Sequence, residues 1–405
     1  MAEPTNTPMP TAPPTPRSNS PAPPIPGASP SSIATSPTTL PLHPMSSLLS
    51  PALAHLPVIP SRLAASPSPS PKPVVLQLGD HVPHNRELCD GFARHFTVVR
   101  PTPEEHERDA FMAALREGRW GFFDAVLRCS WGSGGEMGPW DTELVGLLPD
   151  SMKVFASVGA GIDGADTKLL GERGIVYCKP GSATADAVSE TAVAMIISTF
   201  RKLPYLYGTA AANPDLATSF SIMQAHNLRG RVLGIVGLGD VGQRIARTCS
   251  AAFGMRVLYH DVERKDDSGG AIRFTYDLED LYHQVDCVVL CEPPPGAGCL
   301  VNARSLEWFR PGARLVSVAH GSFIDEDAVA AALEYGRLSA VALNTQNVSP
   351  QLQKFVGLRV MLTCRSTSDT AESRAELEEV SMKNIELVTE GGEASTPENA
   401  QWLRR

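Results

Sequence analysis

Val232-Leu233-Gly234-Ile235-Val236-Gly237-Leu238-Gly239-Asp240-Val241-Gly242 is the stretch on which the reading of this chain turns. An apolar run, Val232 to Val236, enters a set of glycines, and a helix-like segment leaves it and ends near Phe253. A second run, residues 256–259, then delivers an acid at Asp261. Strand, glycine turn, helix, strand and acid in that order predict a dinucleotide site. Gly237 permits the tight turn, Gly239 lets the backbone approach a pyrophosphate, and Gly242 lets helix and strand pack closely. The helix start at Asp240 and Val241 offers oriented N–H donors, and Asp261 accepts from a ribose hydroxyl. A carboxylate there repels a 2′-phosphate, so NAD is expected over NADP, with Arg264 and Lys265 as the opposing signal.

The same rhythm extends outward in both directions. Downstream, strand-like runs recur at 286–290, 313–318, 339–343 and 359–363. Upstream, Val74–Leu78, Thr97–Val99 and residues 123–128, 153–158 and 175–179 read as strands, between helix-like stretches at Arg86–His95, 104–118 and 167–171. Alternation of this kind predicts an α/β protein with two doubly wound parallel sheets. The expected layout is a Rossmann nucleotide domain, 185–365, inserted into a flavodoxin-like substrate domain, 73–184 and 366–391. A long apolar helix at 185–200 and a connector at 208–231 lead into the insert, a helix at 370–391 leads back, and 392–405 reads as a flexible C-terminal tail.

Composition sets the outer bounds. Of 35 prolines in 405 residues, 21 fall within residues 1–73, and only Glu3, Arg17 and Arg62 are charged before Lys72. Residues 1–72 therefore read as a disordered Pro/Ser-rich segment, with too little apolar surface to offset ordering entropy. A targeting peptide is the competing reading, but the Arg-rich amphipathic pattern is missing. The net charge of −9 argues against direct nucleic-acid binding. No apolar run is long enough for a membrane span. The eight cysteines form no Cys-x-x-Cys pair, which favours buried thiols in a reducing cytoplasm, with the nucleus as an alternative setting, over disulfide or metal roles.

Several motifs, taken in order, resemble the D-isomer-specific 2-hydroxyacid dehydrogenases over about residues 74–391. They include Gly138-Pro139, Leu148-Pro149, Val158-Gly159-Ala160-Gly161-Ile162-Asp163, Arg173-Gly174-Ile175, Pro180-Gly181, Ser189-Glu190, Leu228-Arg229-Gly230 before the fingerprint, Phe253-Gly254-Met255, and Gly321 with Ile324-Asp325-Glu326. The loop before Val158 and the C-terminal helix are most similar to fungal mandelate- or glyoxylate-reductase-like members. The resemblance implies a small 2-keto or 2-hydroxy acid as substrate and a homodimer through the cofactor domain. It also implies a substrate carboxylate facing the amides of Gly159, Ala160 and Gly161, and Pro293 and Ala319 beside the cofactor.

Three departures stand out. The family's catalytic Arg belongs in an Ala-Arg-Gly step, and this chain has Ala319-His320-Gly321. The family Glu before Pro is replaced by Ser349-Pro350, and the family His in Thr-Pro-His by Thr363-Cys364-Arg365. The Asp expected upstream of the Glu is Asn344. No histidine follows His320, and no Asp or Glu lies between Tyr335 and Ser368, so no shift of register restores the missing pair.

Arg365 cannot serve as a general acid but can clamp a carboxylate, while His320 titrates near neutrality and anchors an anion poorly. An exchange of roles between these two is one expectation. The other is a polar residue and a solvated cation without a catalytic part. Two functions remain open: an NAD-linked 2-keto acid reductase, or an NAD-bound interaction protein of the corepressor kind. In the second, the proline-rich segment offers a surface for a protein partner and its Ser-Pro steps sites for kinases, the other reading of that segment being an unselected solvated extension.

Overall fold

The computed structural model describes residues 71–79, 84–128, 137–158, 164–212, 225–265, 272–291, 297–319 and 323–403. His320, Pro293, Gly159, Ala160 and Gly161 lie outside these residues, as does 1–70 of the proline-rich segment.

Five parallel strands form the first sheet: β1 (Val74–Leu78), β2 (Thr97–Val99), β3 (Ala125–Arg128), β4 (Val154–Ser157) and β5 (Val176–Cys178), in the order β2-β1-β3-β4-β5. Helices α1 (Arg86–His95), α2 (Arg108–Arg116), α3 (Thr142–Gly146) and α4 (Thr167–Glu172) connect them. The single helix expected at 104–118 is two pieces, a 3-10 turn at Pro103–His106 and then α2. Pro103 opens the turn, and the Glu105 carboxylate accepts the Thr102 N–H at 2.8 Å. Glu107 is extended (φ −69°, ψ 142°), which ends that turn before α2 begins.

The chain then crosses through α5 (Ala185–Arg201) and α6 (Leu203–Ala212) to a second sheet. Its elements are β6 (Val232–Val236), α7 (Asp240–Ala251), β7 (Arg256–His260), β8 (Ile272–Phe274), α8 (Leu278–Gln284), β9 (Cys287–Leu290), α9 (Ala303–Leu306), β10 (Ala313–Ser317), α10 (Glu326–Glu334), β11 (Leu338–Leu343), α11 (Pro350–Gln353) and β12 (Val360–Leu362). All seven strands are parallel, in the order β12-β11-β10-β9-β6-β7-β8. The helix α6 occupies residues 203–212, overlapping the start of the stretch read from sequence as a plain connector. Lys202, in the left-handed region at φ 58°, separates it from α5.

Burial explains the partition into two layers. Every residue of β6 is buried, as strands covered by helices on both faces require. Ala192, Met195, Ile196 and Phe200 of α5 pack with Leu233, Ile235, Val257 and Val316 of the second sheet. The last helix, α12 (Ala371–Thr389), instead packs Leu377, Met382, Ile385 and Val388 against Val75, Ala125, Val154 and Ala156 of the first. The two sheets share one local device. Asp124, just before β3, accepts the N–H of Val74 at 2.9 Å, and Asp286, just before β9, accepts that of Val232 at 2.8 Å. No helix among the described residues is long and apolar enough to cross a membrane.

The expectation of a flexible tail at 392–405 is corrected for residues 392–403. Asn399 is fully buried; its carbonyl accepts the N–H of Tyr177 at 2.9 Å, and its amide donates to the carbonyls of Thr167 (3.1 Å) and Ile175 (3.0 Å). Asn384, equally buried on α12, accepts the N–H and hydroxyl of Ser395, each at 2.8 Å. Buried amides with their hydrogen bonds made pin a segment that composition alone reads as a tail.

Candidate cofactor and substrate site

The second sheet reverses its order between β6 and β9, and the crevice above the carboxyl ends of those strands is where such folds take a nucleotide. The fingerprint lies there. Gly237 leaves β6 at φ 89°, a conformation that an L side chain resists. A Cβ on Gly242 would stand 2.3 Å from the Gly237 carbonyl oxygen, so turn and helix touch backbone to backbone. Gly239 is the N-cap of α7 and brings no side-chain cap, which leaves the first helical amides, Asp240 and Val241 included, open to an acceptor. Val241 packs partly into the core, while Asp240 is exposed.

Asp261 closes the other side of the turn. One carboxylate oxygen accepts the N–H of Leu238 at 2.8 Å, and the other accepts that of Val262 at 2.7 Å. Each oxygen keeps a free lone pair, so the carboxylate can also accept from a ribose hydroxyl. On this geometry the cleft fits a dinucleotide: a turn whose one side chain, Leu238, is buried in the core, an open helix start and an acceptor at the ribose end.

The reaction end gathers the carboxyl ends of β10, β11 and β12. Ala319 is buried behind β10, with its N–H on the Leu290 carbonyl at 3.3 Å. Asn344 follows β11. Its amide donates to the Thr367 hydroxyl at 2.8 Å, and its carbonyl accepts the Thr363 hydroxyl at 3.0 Å. The neutral amide therefore fixes both ends of the turn carrying Cys364 and Arg365. Those two residues are exposed and both left-handed, at φ 52° and 60°. Two successive non-glycine residues there cost roughly 1–3 kcal/mol each, a strain that the bonds to Thr363 and Thr367 hold in place.

Ser349 caps α11, its hydroxyl accepting the Leu352 N–H at 3.3 Å. Its own N–H donates to the carboxylate of Glu326, in the first turn of α10. Ser317, Ala319, Glu326, Leu343 and Asn344 line a cavity of about 20 Å³. That is room for a water and not for a substrate. Sequence reasoning missed Glu326 as part of this region, because the search for a replacement carboxylate ran downstream from Tyr335. The only signal was the Ile324-Asp325-Glu326 run.

Two residues of the first sheet's carboxyl edge contact the C-terminal stretch or are buried beside it. Cys178 is buried at the end of β5, and burial pushes its thiol up to about 12, so it holds its proton at neutral pH. Lys179 pairs with Glu398 at 2.8 Å, tying the segment after β5 to the C-terminal stretch. Arg244 of α7 binds, through its guanidinium, Asp186 in the first turn of α5, the helix that covers the same sheet. Of the residues singled out from sequence, the structure gathers Gly237, Gly239, Asp240, Val241, Gly242 and Asp261 at one turn. It sets Ala319, Ser349 and Arg365 at the carboxyl edge of the same sheet.

The family description "D-isomer specific 2-hydroxyacid dehydrogenase, NAD binding domain" matches residues 193–363. A solved structure of D-mandelate dehydrogenase from Rhodotorula graminis superposes with a TM-score of 0.76 at 34% identity, over 81% of this chain and 98% of that one. The chain belongs to the D-isomer-specific 2-hydroxyacid dehydrogenase family. A 4-methyl-2-oxopentanoate reductase A of Aspergillus oryzae is 26% identical over 296 residues, 71% of this chain and 87% of that protein. An NADPH-dependent glyoxylate/hydroxypyruvate reductase of Sinorhizobium meliloti, solved with NADP and malonate, aligns at 25% identity and a TM-score of 0.66, over 83% and 99%. This dehydrogenase-family chain therefore carries the family's nucleotide-binding domain; the family description names NAD, while the Sinorhizobium meliloti relative is named for NADPH.

Proposed function

We propose that the protein binds NAD in the β6/β9 crevice and reduces a small 2-keto acid slowly, through a reaction centre in which two residues have exchanged roles. The observation that carries this reading is the pairing of an open glycine cradle, closed by Asp261, with a Ser349 whose side chain is spent on capping α11. The cofactor supplies the hydride when bound. Asp261 holds the ribose end and, by charge, favours NAD over NADP. Arg365 sits on an exposed, conformationally fixed turn at the end of β12, suited to a forked grip on a carboxylate. The amides of Gly159, Ala160 and Gly161 add donors to the same carboxylate, and Pro293 and Ala319 flank the nicotinamide. His320, directly after Ala319, is the proton donor. With no glutamate side chain at 349 to orient it, proton delivery is weaker by about 10²–10⁴ in rate.

Turnover with NADH and a panel of glyoxylate, hydroxypyruvate, phenylpyruvate and 2-ketoisocaproate tests the reading. Activity lost in both His320→Ala and Arg365→Ala supports the exchange. Activity untouched by either substitution removes it.

A second reading is an NAD-bound interaction protein that does not turn over. The commitment of both Ser349 polar groups to structure favours it. Micromolar NADH binding without turnover across the panel would select it. Either reading places the protein in the cytoplasm as a homodimer through the cofactor domain. The surface that supports the dimer carries Leu203 and Tyr207 of α6 and, before β12, Leu358, at 42%, 86% and 49% exposure.

A further inference from the structure

A second cavity lies at the opposite end of the nucleotide-binding sheet. It measures about 270 Å³ and opens at the amino ends of β11, β10, β9 and β6, between Lys202, His226, Arg231, Asp286, Arg310 and Arg314. The five residues of β6 span ~16 Å, so this cavity stands about a strand length from the glycine turn.

Among the described residues its charges do not balance. Lys202, Arg231, Arg310 and Arg314 face a single carboxylate, Asp286, one of whose oxygens is already taken by the N–H of Val232. The other oxygen lies 3.6 Å from Arg231 and 3.9 Å from Arg310, a loose contact with each. Among the described residues, neither of the two deepest cations has a carboxylate of its own. Arg314 is 4% exposed; its Nε has no hydrogen-bond partner among the described residues, Nη1 reaches the Gly312 carbonyl at 3.3 Å, and the guanidinium lies 4.0 Å from the Phe200 ring centre. Lys202 is 7% exposed, and its ammonium donates to the Ser339 carbonyl at 2.7 Å.

Burying cations together without anions is costly unless something negative joins them. Burial first, then Arg314 and Arg359, lower Lys202 to about 8. His226 reads the same field. The Arg231 guanidinium can only donate, so the contact at 3.2 Å makes His226 Nδ1 the acceptor and leaves the proton on Nε2. Burial, Arg314 and Arg231 together hold this imidazole below its ordinary value.

A solvated basic surface would explain Arg231 and Arg310, whose side chains are 38% and 48% exposed, but not Arg314 and Lys202. Guanidinium forks on two sides, an ammonium and an imidazole N–H match a tetrahedral dianion in charge and in donor geometry. We propose that this cavity is a binding site for a phosphate group, carried by inorganic phosphate or by a small phosphate ester, separate from the nucleotide cleft.

The test is calorimetric titration of the full chain with inorganic phosphate and with glycerol 3-phosphate, each against sodium chloride at matched ionic strength. Running it with NADH present keeps the nucleotide cleft out of the readout. Saturable binding at one site per chain is expected, weakened at least tenfold in an Arg231→Gln/Arg310→Gln variant whose NADH affinity is unchanged. Tighter binding of glycerol 3-phosphate assigns the site to an ester, and equal or weaker binding assigns it to the free ion. Histidine NMR on the unmodified protein gives an independent reading, since a phosphate beside His226 must raise its pKa. Heat no larger than the chloride control, undiminished binding in the double variant, or a His226 titration unmoved by phosphate would overturn the proposal.

Discussion

The Glu326 carboxylate, in the first turn of α10, accepts the backbone N–H of Ser349, the N-cap of α11. It is aimed at the main chain of α11's N-cap. The bond joins α10 to α11, and under the proposed exchange of roles no carboxylate side chain at 349 steers an imidazole. Glu326→Gln keeps the shape and removes the charge, and should lower stability by about 1 kcal/mol with NADH affinity unchanged. Thermal melts of the two proteins check this, and an unchanged melting temperature would mean that the bond carries no weight.

Gly242→Ala should abolish NADH binding, a loss of at least a hundredfold. The added Cβ would sit 2.3 Å from the Gly237 carbonyl oxygen, and only a backbone shift at the turn relieves that contact. Overpacking of this kind costs about 1–3 kcal/mol in stability, so circular dichroism should still report a folded chain. NADH affinity within threefold of the parent would contradict the cradle described here.

Asp261→Asn keeps an acceptor for Leu238 and discards the charge. NADH should weaken by about tenfold, or ~1.4 kcal/mol, while the preference for NADH over NADPH narrows. Fluorescence titration with both cofactors measures it. If discrimination is unchanged, Asp261 does not select the cofactor.

Lys202 makes a prediction about pH. Its pKa falls from 10.5 when unfolded to about 8 in the fold, chiefly through burial. Between those values the unfolded chain holds the proton and the folded chain does not, so stability rises with pH across that window. At pH 7 the buried charge is a burden of ~3 kcal/mol, which Lys202→Met should remove. Urea melts at pH 7 and pH 10 should show the variant's advantage shrinking as pH rises. A constant difference would show that Lys202 does not titrate in this window.

The glycine turn and the alternation behind both sheets were legible because each is a local pattern, and Asp261 because the strand–turn–helix–strand unit fixes an acid at the end of its second strand. What was not legible depends on contacts made over long separations. Asn399 reads as one polar residue in a Gly/Ser/Pro-rich end, and only the backbone groups of Thr167, Ile175 and Tyr177 around it make it an anchor. Glu326 lies 23 residues before Ser349, and the helix α10 between them decides that they meet. The helix α6 runs past Gly208, where the sequence reads as the start of a connector. The basic cavity joins residues from 202 to 339, and no window of the sequence carries more than two of its cations.

The central claim is that a working nucleotide cradle stands beside a reaction centre deprived of its usual acid and counter-ion. Single-turnover hydride transfer from bound NADH to a 2-keto acid tests it most directly, in the native chain and in a His320→Arg/Ser349→Glu/Arg365→His variant that returns the family's residues. The account predicts tight NADH binding by both and transfer at least a hundredfold faster in the variant. Transfer by the native chain at an ordinary enzymic rate, on the order of 10 s⁻¹ or more, and surviving His320→Ala, would contradict it.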